Sequence, residues 1–266
     1  MKNQRGRAVA RNILKLLLSV IAFFLAGWLL TGIVVEPGIA YDAEDTEQAS
    51  IANITALTGG GSVTDERVLS EIAREMTASF SEGHAGNGDT VGWLLIPNIC
   101  YYPIMYSEVY DYYLRHNPQR DASAQGSIFI NYQCEPGFDN MLTLIHGHNM
   151  KNGTMLGRLS EYLGEDFFRN NSPIMIYDGE SIRTYKPFTA VILEENNDVI
   201  DARGLSDTER TSYIESMYSR SICKMEEGEE PDLTKPVIFF STCDYSFSEA
   251  RLLVGAYLTE IEEAGG

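Results

Sequence analysis

A cysteine, two histidines and an arginine stand in this chain where apolar runs meet polar turns. Cys243 closes the run "VIFFSTC", Arg251 opens "RLLVGAYL", and His146 and His148 end "LTLIHGH". Each alone has an ordinary explanation: an apolar cysteine packs a core, an arginine lies on a surface, a histidine sits in a turn. Together they suit thiol chemistry. A free thiol titrates near pH ~8.5 and an imidazole near ~6.5, so side by side they form a thiolate–imidazolium pair whose sulfur is the nucleophile. A guanidinium stays charged throughout, and beside them it would hold a substrate carbonyl and the oxyanion formed on attack. If Cys243 ends one strand and Arg251 begins its antiparallel neighbour, "DYSFSEA" is the hairpin loop and both groups share one rim.

Zinc is the competing use of the histidines, because residues 146 and 148 share a face of a continuing strand and H-x-H is a zinc arrangement. The segment supplies no H-E-x-x-H, no C-x-x-C and no acidic third ligand, and Gly147 marks a bend or the end of the strand. His84, in the glycine-rich "SEGHAGNGD", and His116, in "YYLRHNPQR", read as solvated surface residues.

The elements that must position these groups are mostly strands. After Thr90 come eight short apolar or alternating runs separated by turn residues: "VGWLLIP", "CYYPIMY", "GSIFINY", "MLTLIHG", "IMIYD", "YKPFTAVIL", "KPVIFFST" and "RLLVGAYL". They predict an antiparallel all-β domain, most simply a barrel. Helical spacing of Val68, Leu69, Ile72, Met76 and Phe80 predicts an amphipathic helix over 64–80, broken by "SEGHAGNGD". A second helix is expected from Met155 to Phe168. A third follows Ser206, where "SDTE" is a capping-box pattern returning at Glu209. Its apolar face, Ile214, Met217, Tyr218, Ser221, Ile222 and Met225, puts Cys223 beside a packing stripe.

Charge divides the chain. Five basic and no acidic residues precede residue 16, whereas the remainder carries 15 basic against 38 acidic residues. So acidic a body repels phosphate backbones, which argues against nucleic acid as a partner. Between Lys15 and Glu36, residues 16–35 contain no charge and match the length of a membrane-spanning helix, about 20 residues. A cleaved signal has a shorter apolar region, about 7–15 residues, and a small-residue cleavage site that "GIAYDA" matches poorly. An uncleaved single-pass anchor is expected, with residues 1–15 cytoplasmic and the acidic body exported. Residues 36–62 read as a stalk, flexible at "GGGS", before an exported domain over 63–266. Export permits disulfides among Cys100, Cys134, Cys223 and Cys243, with three full pairings possible, but four cysteines are too few for a disulfide scaffold.

"HGHNMKNGTMLGRL" and "FFSTCDYSFSEAR" resemble the histidine and cysteine motifs of class B sortases, membrane-anchored cysteine transpeptidases of Gram-positive bacteria. "VGWLLIPNICYYPIM", "DYYLRHN" and "GSIFINY" resemble that family's opening strands in the same order, so the likeness spans roughly residues 91–258. It implies a closed eight-stranded β-barrel with N-terminal helices and a helix before the cysteine strand. It also implies His148 as the catalytic histidine, Cys243 as the nucleophile and Arg251 as the arginine, with Ser241 and Thr242 lining the peptide groove. The implied reaction cleaves a C-terminal sorting signal of a secreted protein at a threonyl carbonyl through a thioester acyl-enzyme. An amine of a cell-wall precursor or a pilin then resolves the thioester, with no metal or organic cofactor. Two departures stand out: His146 where relatives often carry tyrosine, and an acid at Asp244 where some place one at the position held here by Tyr245. A thiol peptidase using water, or a non-catalytic peptide-binding barrel, are the alternatives.

Overall fold

The computed structural model of the chain describes residues 66–171, 173–193, 202–226, 228–243 and 250–263, and of Glu66, Arg67 and Cys243 the backbone alone. The basic tail, the apolar span 16–35, the stalk and the segment holding Asp244 and Tyr245 lie outside the described residues. Among those described, no helix is long and apolar enough to cross a membrane.

Among the described residues nine strands follow one another: β1 (Thr90–Ile96), β2 (Cys100–Met105), β3 (Ile128–Ile130), β4 (Leu142–His146), β5 (Ile174–Tyr177), β6 (Ser181–Leu193), β7 (Cys223–Lys224), β8 (Val237–Cys243) and β9 (Arg251–Glu263). Eight of them, in the order β5-β1-β2-β3-β4-β8-β9-β6, form a ring that the β5–β6 pairing closes into a barrel; β7 hangs on β6 as a ninth. The eight barrel strands are the eight apolar runs of the sequence. Two pairings differ from the antiparallel expectation: β2 with β3 and β4 with β8 run parallel. Parallel neighbours need long crossovers. The stretches 106–127 and 147–236, which run between these strands, serve that purpose and carry most of the helical structure.

The helices show where periodicity suffices and where local chemistry overrides it. Helix α1 (Glu66–Gly86) lays Ile72 and Met76, both fully buried, against Leu95, Tyr101, Met175, Tyr177 and Ile182. It continues six residues past the expected end, through "SEGHAG", because the absence of a side chain at Gly83 lets the helix lie on Trp93; a Cβ there would stand 2.8 Å from the indole. The helix expected from Met155 to Phe168 is broken into a 3-10 turn, Leu159–Leu163, and α2 (Glu165–Asn170). Asn152 Oδ1 accepts from the Thr154 N–H and hydroxyl, Met155 adopts φ +56°, and Gly164 is extended, so the chain turns where a helix would have run. Helix α3 (Asp207–Ser219) starts on the capping box: the Glu209 N–H donates to Ser206 Oγ, and the Ser206 N–H to Glu209 Oε2. It stops before Ser221. Ile222 is 56% exposed, and Cys223 belongs to β7, where it is buried and donates to the Leu163 carbonyl.

Candidate active site

The site is written in the register of three strands. β4 lies parallel to β8 with His146 beside Ser241, and the Gly147 N–H continues the ladder by donating to the Ser241 carbonyl at 3.2 Å. The pairing ends there, and His148 follows two residues after the last paired residue of β4, as Cys243 follows two after Ser241 in β8. On the other side β9 lies antiparallel to β8 with Arg251 opposite Cys243 and Leu253 opposite Ser241. Directly opposed residues of an antiparallel pair share a face, with Cβ atoms about 4.5–5.5 Å apart. The sequence separates these residues widely; the barrel puts Arg251 opposite Cys243 and makes one row of His146, Ser241 and Leu253, with His148 leaving the end of β4 just beyond it.

Gly147 makes the turn out of β4 possible by its size. Its backbone lies against the buried Leu156, and an added Cβ would meet Leu156 Cγ at 2.8 Å. The chain then passes through His148, whose carbonyl accepts from the Leu156 N–H. The His148 ring is held from across the molecule: its Nε2 lies 2.9 Å from the Leu114 carbonyl. A carbonyl only accepts, so Nε2 carries the proton, and proton exchange with a reacting partner falls to Nδ1.

His146 is held in the opposite sense. Asn131 Oδ1 accepts from the Gln133 N–H at 2.8 Å, which turns its Nδ2 donor toward His146 Nε2 at 2.9 Å. That nitrogen must accept, so His146 is neutral with its proton on Nδ1. Burial first, and the charge of Arg251 second, push its pKa down to about 4. The ring also stacks on Phe129, 5.6 Å between centroids. The two histidines of the H-x-H pair thus have separate partners and opposite tautomers. Among the described residues no group of three His, Cys, Asp or Glu side chains could hold a metal ion.

Ser241 and Thr242, expected to line a peptide groove, are 1% and 3% exposed, and neither hydroxyl has a hydrogen-bond partner among the described residues. Cys100, Cys134 and Cys223 are all buried, and burial pushes the Cys223 thiol up, away from reactivity. His84 is exposed, yet its ring stacks on Phe80 and its Nδ1 is 2.9 Å from the Thr90 carbonyl. His116 departs from the solvated expectation: it is half-buried, stacked on Tyr112 at 4.1 Å, with Nδ1 2.7 Å from the Tyr112 carbonyl. Leu114 and Asn131 were not legible as site residues. A backbone acceptor leaves no trace in side-chain types, and an asparagine after a strand reads as a turn.

No family model matches the chain. Two curated relatives do. The sortase B of Listeria monocytogenes is 32% identical over 196 residues, 72% of this chain and 78% of that protein. The sortase B of Staphylococcus aureus is 23% identical over 208 residues, 74% of this chain and 81% of that protein. Among solved structures, a sortase B from Bacillus anthracis in complex with AAEK1 has a TM-score of 0.61 at 26% identity, covering 71% of this chain and 94% of that one. A Staphylococcus aureus sortase B–substrate complex has a TM-score of 0.63 at 18% identity, covering 82% and 97%. The closed barrel and these likenesses define a cysteine transpeptidase. The chain belongs to the sortase B family.

Proposed function

We propose that this transpeptidase cleaves a C-terminal sorting signal on secreted proteins and transfers the cleaved protein to an amine of the cell wall or of a pilin. Cys243 is the nucleophile, His148 the acid and base, and Arg251 the holder of the substrate carbonyl. The observation that carries this reading is the pairing of the strand ends: Arg251 lies directly opposite Cys243, and His148 follows the residue whose N–H donates to the Ser241 carbonyl, two residues before Cys243.

The thiolate of Cys243 attacks the scissile carbonyl carbon, forming a C–S bond and an oxyanion that Arg251 stabilises. The C–N bond then breaks, and the leaving amine takes the proton from His148 Nδ1. The acceptor amine attacks the thioester, His148 Nδ1 removes the amine's proton, and the sulfur leaves as thiolate. Every proton taken in the second half was given in the first, so the cycle closes without oxidant or cofactor. Residues 16–35 anchor the protein with its N-terminus in the cytoplasm and residues 63–266 outside; the charge-free span and its basic flank support this. Ser241 and Thr242 flank the peptide groove in this reading, contributing backbone and shape, since both side chains are buried.

The test is acylation. Full-length protein is incubated with a library of C-terminal sorting peptides, and the thioester is captured by mass spectrometry. The native chain should gain one acyl group on Cys243, and added amine should divert product from hydrolysis to transfer. Undiminished acylation of Cys243→Ala would refute the assignment.

A further inference from the structure

The Leu114 carbonyl that holds His148 belongs to a segment fixed from several sides, and the strongest tie is its neighbour Tyr113. This phenol is 1% exposed. Its hydroxyl donates to Asp89 Oδ2 at 2.6 Å and accepts from Asn87 Nδ2 at 2.8 Å. Asp89 is held in turn by Arg120 at 3.0 Å, and Asn87 Nδ2 also donates to the Pro118 carbonyl. The backbone continues the clamp: the Ser127 N–H donates to the Tyr113 carbonyl at 2.8 Å. Gly126, at φ +61°, packs so closely that a Cβ would stand 2.6 Å from the Leu114 oxygen. The 3-10 turn Tyr112–Leu114 is thereby bolted to the turn between α1 and β1.

We propose that Tyr113 and Asp89 are positioning residues for His148. They fix the Leu114 carbonyl so that the ring is held as its Nε2–H tautomer and Nδ1 is presented for proton transfer. This rests on the assignment of His148 made above. Neither residue touches substrate. Their effect passes through one backbone oxygen, and a displacement of about 1 Å at such an anchor can cost on the order of 100-fold in rate.

The test has two arms. The first uses full-length Cys243→Ala protein with 15N-labelled histidines, at a pH where the imidazoles are neutral, and therefore does not depend on the reaction. His148 should show the Nε2–H tautomer and His146 the Nδ1–H tautomer. Adding Tyr113→Phe should mix the tautomers of His148 and leave those of His146 unchanged. The second arm measures transfer with Cys243 intact. Tyr113→Phe should lower kcat about 10- to 100-fold with KM within about twofold, while Asp89→Asn, which keeps an oxygen acceptor for the phenol, should retain most of the rate. A single, unchanged His148 tautomer in Tyr113→Phe overturns the proposal, as does a mixed tautomer with unchanged kcat. If Tyr113→Phe does not fold, Asp89→Ala replaces it in both arms with the same expectations. Loss of the tautomer effect alone would leave the role of Cys243 standing, and failure of acylation alone would leave the tautomer result standing.

Discussion

Removing His146 should change how the protein's stability depends on pH. In the folded state its pKa lies at about 4, because burial and the nearby Arg251 disfavour the charged ring; unfolded, it returns to about 6.5. Between these values the unfolded chain binds the proton and the folded chain does not, so stability is complete above the unfolded value and falls as pH drops through the window. At pH 5 the linkage amounts to about 2 kcal/mol, an upper figure because the ring is partly exposed. For a domain of this size each kcal/mol moves Tm by about 2–4 °C. The perturbation is His146→Gln, which cannot titrate, and the assay is thermal unfolding followed by circular dichroism at pH 7.5 and pH 5. Both proteins will lose stability to their shared carboxylates, and that loss cancels in the comparison. The native chain should lose about 4–8 °C more than the variant over this interval. Equal losses would show that His146 is not kept neutral and that the Asn131 bond to its Nε2 is misread.

Other expectations follow from close packing. Gly126→Ala must adopt a left-handed φ and push its methyl into the Leu114 carbonyl, so it should depress transfer activity more than its loss of stability explains, measured as kcat of the remaining folded fraction. Gly255→Ala sits between Thr189, Phe239 and Phe188, with contacts of 2.6, 2.7 and 3.0 Å for the added Cβ; overpacking there should cost about 1–3 kcal/mol in urea unfolding. Arg251→Ala should lower kcat for acylation by about 100- to 1000-fold in rapid-quench kinetics, the usual size of a lost oxyanion donor; a change under threefold would remove it from the mechanism.

How far the molecule could be read from its residues depends on what each feature leaves in a sequence. The eight barrel strands were legible because alternation and turn residues bound each run, and α3 was legible because its cap has a side-chain signature at Ser206 and Glu209. The helix from Met155 was not, since Asn152 and the left-handed Met155 redirect the backbone against an acceptable apolar spacing. Strand direction was also hidden: Leu142 beside Val237 in parallel is a property of the crossover between them, which no local pattern records. β7, two residues long, carries too little pattern to find. For the candidate site, the ends of the strands suggested that Cys243 and Arg251 face each other, as β8 and β9 pair them. What holds the two histidines did not show, because the Leu114 oxygen on His148 is main chain and Asn131 acts on His146 through one orientation of its amide.

The parallel pairing of β4 with β8 has a consequence for the life of the chain. Neighbours such as Leu142 and Val237 meet only after nearly all the intervening polypeptide has been made and folded back, and contacts of that span form late. A partly synthesised molecule therefore holds the ends of β4 and β8 apart. Any chemistry that draws on the ends of both strands begins only when the ring closes.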